Sequence, residues 1–245
     1  NTNALTSRRI EVSSSFDDIQ DYYEELGWTD GLPVVPATPD LVRKMLGEYG
    51  GDPSWSLGVI QPQNASVTIE KVAINAVMAG CRPEHFPVVV AGIQAILKPE
   101  FNLAGCQATT GGAAPVTIVN GPIARDLDIN GDAGCFGPGH RSNAVIGRAI
   151  RLVIRNIAGL IPGEMDKATL ALPARYTFCF AENEARSPWE PRHVELGMGP
   201  DQSLVTISAI RGLYVVMEST VPTGLEVLKT LVESTQTTGF SNYYQ

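Results

Sequence analysis

A glycine-proline loop runs straight into a long amphipathic helix, and this junction constrains the chain more than any other feature. The loop is Cys135-Phe136-Gly137-Pro138-Gly139-His140-Arg141-Ser142-Asn143-Ala144, and Val145 to Arg155 continue it as a helical pattern. A helix of that length needs a large apolar partner, so the rest of the chain must pack around it. Its first turn leaves backbone N–H groups unpaired at the positive end of the dipole, which favours an anion. Arg141 adds a bidentate donor for carboxylate or phosphate. The plain alternative is a glycine turn with Ser142 as an N-cap.

The 245 residues, 44% of them apolar, can bury a sizeable core. The flanking pattern mixes helices and strands. Phe16, Ile19, Tyr23 and Leu26 form a helical stripe that Ser15 can cap. A second helix starts at Thr38-Pro39 and stops at Gly50-Gly51. Residues 52–66 read as a loop with a short strand near Val59-Ile60. Helical spacing returns over Thr68–Gly80 and Pro83–Leu97. Strands are expected at 116–119, 175–181, 204–210 and 213–217. A last helix is expected after Thr223, with Leu225, Leu228 and Val232 turned inward. The pattern predicts one α/β domain over 1–245, a mixed sheet with flanking helices, and residues 1–50 as an N-terminal helical segment.

A net charge of −8 argues against nucleic acid and against anionic membrane surfaces. No apolar run approaches the ~20 residues of a membrane span, and the polar start lacks the core of a signal peptide. A cytoplasmic protein is the expectation.

The chemistry-bearing residues fall in a few places. Cys81, Cys106, Cys135 and Cys179 form no CxxC pair, and the three histidines show no zinc spacing. No metal site is expected, and no cofactor is indicated. Cys179 lies in the apolar run 176–180 and reads as core. Cys106 and Cys135 begin glycine-rich stretches and are candidate nucleophiles or acids, with His140 as proton carrier. Glu182, at the end of a strand, is a candidate acid or base. Thr109, Thr110, Gly111, Gly112 and Asn120, with Arg141, Ser142, Asn143 and Asp30, are candidate substrate contacts. Asp30 also suits an Asx turn beside Trp28.

Arg141, Arg148, Arg151 and Arg155 fall near one helix stripe of an acidic chain. Such a stripe needs counter-charges, from solvent, from the same chain, or from another subunit of a homo- or hetero-oligomer.

Together these residues predict an enzyme of lyase or hydrolase type acting on a small anionic substrate. No GxGxxG follows a strand and no Walker loop is present. The alternatives are a non-catalytic subunit of a larger complex and a thiol-dependent redox protein. Gly27-Trp28-Thr29-Asp30-Gly31-Leu32-Pro33-Val34-Val35-Pro36, the Gly-Pro-Gly-His-Arg-Ser-Asn-Ala block and Glu182–Trp189 also resemble a poorly characterised bacterial family. Some of its members are associated with proteins carrying a UGSC (selenocysteine or cysteine) motif, described as thiol-disulfide oxidoreductases. This chain contains no Cys-Gly-Ser-Cys. The resemblance implies an enzyme-like protein and no particular reaction.

Overall fold

The computed structural model describes residues 4–47, 49–220 and 223–238. The chain divides into two compact units, residues 1–211 and 212–245.

The first unit is built on the helix the sequence marks out. That helix, α7 (Arg141–Ala158), buries Ile146, Ala149, Ile150, Leu152, Val153, Ile154 and Ile157. Its main partners are α3 (Ile69–Met78) and α4 (Phe86–Ile96). Both are buried over most of their surface, and α4 is apolar nearly all round, as a helix in the middle of a core must be. Thr68 caps α3 by accepting the Lys71 N–H at 3.3 Å. Helix α1 (Phe16–Glu25) starts at Ser15, but the Ser15 side chain makes no cap bond. Helix α2 (Pro39–Gly47) buries Val42 and Met45.

Two sheets complete the unit. Strands β1 (Ser56–Ile60) and β2 (Ala65–Thr68) form an antiparallel pair. The sequence suggests a strand only for the first of these. The second sheet has the order β4-β3-β5, from β3 (Ala114–Asn120), β4 (Cys179–Ala181) and β5 (Leu204–Ile210). β4 runs parallel to β3 and β5 antiparallel. The sheet is therefore mixed and flanked by helices, an α/β arrangement as expected.

Four local expectations need correction. Residues 103–108 form a short helix, α5, so Cys106 lies in a helical turn rather than a glycine loop. The strand expected over 175–181 is confined to β4. A 3-10 turn occupies Pro173–Arg175, and the Thr177 hydroxyl donates to the Ala144 carbonyl at 2.8 Å, tying this stretch to α7. In the second unit, 213–217 is not a strand. Its helix, α9 (Gly224–Thr238), leaves Leu225, Leu228 and Val232 exposed rather than inward. No helix of the described residues is long and apolar enough to cross a membrane.

Candidate active-site cleft at the end of the mixed sheet

The expected site at the start of α7 is present as a fold feature, but most of its polar side chains are already committed. Ser142 is buried and donates to the Leu127 carbonyl, while its oxygen lies 3.2 Å from His85 Nε2. His85 Nδ1 accepts the Arg82 N–H at 3.0 Å, so the neutral ring carries its proton on Nε2 and donates it to Ser142. Burial lowers the His85 pKa, consistent with that neutral form. Asn143 accepts the Asn130 N–H at 2.9 Å and donates to the carbonyls of Asn130 and Cys135, at 2.9 and 3.3 Å. Both residues pin the 127–135 segment to α7. Neither has donor capacity left for a substrate, which corrects their assignment as contacts.

Asp30 is corrected in the same way. It accepts from Arg148 Nε and Nη2, both at 2.8 Å, and its Oδ1 accepts the Leu32 N–H at 3.2 Å. Burial opposes the charged form, yet the hydrogen bonds and charge of Arg148 hold the carboxyl below its usual range. Asp30 closes an Asx turn and anchors it to α7.

Two arginines of the stripe, Arg148 and Arg151, find their partners inside the chain. Arg148 takes Asp30. Arg151 donates to Gln107 Oε1 at 3.0 Å and to the Arg175 carbonyl at 2.8 Å. Neither of these two needs a partner subunit to satisfy it. Arg141 is exposed and donates to the Gly80 carbonyl at 3.1 Å.

Gly111 and Gly112 also serve the fold. A Cβ on Gly111 would lie 2.0 Å from Arg211 Nη2, and one on Gly112 would lie 2.7 Å from the Ala171 Cα. Their missing side chains admit protein rather than ligand. Thr109 Oγ1 accepts the Gly111 N–H at 3.3 Å, and the Thr110 carbonyl accepts the Thr169 N–H at 3.0 Å.

The open site lies elsewhere, where β3 and β4 end side by side. A cleft of about 540 Å³ has the 128–132 segment as one wall and 181–185 as the other, over Gly121, Ala124 and Arg125. Glu182 follows β4 directly. Asn120 is the last residue of β3, and its Nδ2 donates to Glu182 Oε2 and to Glu184 Oε1, the second at 3.1 Å. Glu184 Oε1 also accepts the Gly121 N–H at 2.7 Å, and Glu182 Oε2 accepts the Arg192 N–H at 3.0 Å. One amide thus holds two carboxylates together on a cleft wall. His193, in the short helix α8 (Arg192–Glu195), places Nδ1 3.6 Å from Glu184 Oε1. It is 2% exposed, and neither ring nitrogen has a hydrogen-bond partner among the described residues. Arg186 pairs with Asp132 at 3.2 Å and so links the two walls.

Of the expected catalytic residues, Glu182 lines this cleft, whereas Cys106, Cys135 and His140 do not. Cys135 belongs to the loop that continues the 128–132 wall, and its neighbour Phe136 packs edge-on against Phe178 and Phe180, with centroids 5.1 and 4.7 Å apart. Cys106 is removed from that loop. Its neighbour Gln107 meets Arg151, about 12 Å along α7 from the Asn143 that holds Cys135. Sequence reasoning missed Glu184, Arg125 and His193. The Glu-Asn-Glu pattern at 182–184 was the available signal for the first. The other two become relevant only through tertiary contact.

The lining carries Asp128, Asp132, Glu182 and Glu184 against a single guanidinium, Arg125. No set of three or more His, Cys, Asp or Glu among the described residues is arranged to hold a metal ion. No family model matches the chain, and no curated protein or solved structure matches it either.

Proposed function

We propose that this protein is an enzyme of hydrolase or lyase type that works by carboxylate acid–base chemistry in the 121–132/181–185 cleft. The observation that carries the reading is the Asn120 amide bridging Glu182 and Glu184 on the cleft wall. Two carboxyl groups held this close can give and take a proton within reach of one small substrate. Each also accepts a backbone N–H, which fixes its orientation. The cleft's volume suits a small organic molecule. Its surplus of carboxylates favours a neutral or cationic polar substrate over the anionic one expected from the arginines.

Binding and turnover test the proposal together. Small neutral amides, amines and alcohols are screened by thermal shift, and each hit is assayed for cleavage or elimination. Glu182→Gln is expected to keep the fold and to remove turnover by about 10²-fold or more. A hit whose turnover is unchanged in both Glu182→Gln and Glu184→Gln would sink the proposal.

A further inference from the structure

A second polar cluster lies within the first unit, away from the cleft, and its charges do not balance. The buried Asp166 carboxylate pairs with Arg175 Nη1, and its Oδ1 accepts the Ala168 N–H at 3.1 Å. Arg175 Nε donates to the Ala113 carbonyl at 2.9 Å, and the Arg175 carbonyl accepts from Arg151. Arg151 is itself buried, and its other partner is the neutral Gln107. Of these two enclosed guanidiniums only Arg175 contacts a carboxylate, while Asp166 and Asp30 act on Arg151 through their charge alone. Arg155, one helical turn further along α7, adds a third positive group nearby. The Arg175 side chain is 8% exposed, and its Nη2 has no hydrogen-bond partner among the described residues. The same is true of Arg155 Nε.

This arrangement is costly as it stands. A guanidinium donor removed from water without an acceptor loses its full solvation, and a surplus buried charge loses more. Burial, followed by the charge of Arg175, lowers the Arg151 pKa to about 10, while Asp166 and Asp30 oppose the shift only in part. The neighbouring segment is also rich in donors. Thr109 and Thr110 precede Gly111, against which the Arg211 guanidinium lies, and no acidic partner of Arg211 is found among the described residues.

We infer that the 107–113 segment and the 166–175 loop form a binding site for a small oxyanion, a carboxylate or a phosphate, received by Arg175 Nη2 beside Arg151. An oxyanion supplies both what the cluster lacks, an acceptor for the orphan N–H and a negative charge. The planar guanidinium fork matches carboxylate and phosphate better than it matches a spherical ion. This site does not depend on the acidic cleft, whose lining repels anions.

Isothermal titration of the full chain with sodium formate, sodium phosphate and sodium chloride, at fixed ionic strength, tests the assignment. Saturable binding of formate or phosphate is expected, and whichever binds identifies the source of the oxyanion. Arg175→Gln should weaken it at least about tenfold, and Asp166→Asn, by removing the competing carboxylate, should tighten it about tenfold. A purely internal ion pair would be destabilised by Asp166→Asn with no gain in anion affinity. Saturation by chloride alone, no saturation by any of the three, or wild-type affinity in Arg175→Gln would overturn the site. Should Arg175→Gln fail to fold, wild-type crystals grown in formate decide the matter. Formate density in contact with Arg175 Nη2 supports the site, and a water or no density there refutes it.

Discussion

The start of α7 and the end of β3 are both crowded with polar side chains, yet they do opposite things with them. At α7, Ser142 and Asn143 spend their hydrogen bonds on the 127–135 segment. At β3, Asn120 gathers Glu182 and Glu184 on the wall of an open cleft, and the Asn120 Oδ1 and both His193 nitrogens have no hydrogen-bond partner among the described residues. Residue type does not separate the two regions. What separates them is whether the protein has already used each group's donors and acceptors. Buried groups with unused capacity next to a cavity are where chemistry is available, and groups closed into loops are where stability is held.

The largest effect expected from this contrast is at Asp30. Both side chains of the Asp30–Arg148 pair are at least 85% buried, and Arg148 also donates to the carbonyls of Leu32 and Pro33. Asp30→Ala leaves a guanidinium uncompensated and should cost about 3–5 kcal/mol in urea unfolding. A cost below about 1 kcal/mol would mean that the turn is free and that Asp30 is again open to a substrate role.

Asn143 and Glu182 set the two regions directly against each other. Asn143→Ala abandons the N–H and carbonyl of Asn130 and the carbonyl of Cys135, so about 3 kcal/mol of stability should go. Glu182→Gln keeps the shape of its side chain and should cost about 1 kcal/mol or less. Equal losses in the two variants would erase the distinction between a clamp and a site.

How much of this was legible in the sequence follows from the same distinction. Helix α7 was legible because its apolar period is long, and the mixed sheet because β3 and β5 are apolar runs bounded by turn residues. The α5 turn at Leu103–Ala108 was not legible, because small residues carry little periodic signal. In the site, Glu182 was visible as a carboxylate at a strand end. Ser142, Asn143 and Asp30 misled because sequence reports that a side chain is polar and not what it touches. The partners that decide the matter, His85, Asn130 and Arg148, lie 57, 13 and 118 residues away.

Acid should act on the clamps. Burial opposes ionisation of Asp30 and Glu70, but hydrogen bonds outweigh it, from Arg148 to Asp30 and from Thr6 and Ser7 to Glu70, so both pKa values are lowered. A carboxyl with a depressed folded-state pKa contributes stability that is complete above its unfolded value, near 4, and is lost as pH falls through the folded value. Unfolding free energy should therefore decline below about pH 4, and the decline should shrink in Asp30→Asn. An unchanged acid profile in that variant would show that Asp30 is not held by Arg148 in solution.

The smallest expected effect is a difference in thiol rates, and it tests whether the α7 loop keeps any reactive group at all. Burial pushes the Cys81 thiol up to about 12, and the Cys81 Sγ donates to the Val145 carbonyl at 3.3 Å. Burial raises the Cys179 thiol as well, with Cys81 adding to it, and raises that of Cys106. A raised pKa leaves little thiolate at neutral pH, and the thiolate is the reacting form. Cys135 is half-buried on the loop before α7, where its backbone carbonyl, rather than its sulfur, is tied to Asn143. Iodoacetamide at neutral pH, read by peptide mass spectrometry, should therefore label Cys135 first and Cys179 last. If Cys135 leads, the loop retains an available thiol on the continuation of the cleft wall, and a supporting role for it in the cleft's chemistry can be tested with Cys135→Ser. If Cys179 or Cys81 leads, the core around α7 opens more readily than its packing implies, and the contrast between a closed clamp and an open cleft fails at its closed end.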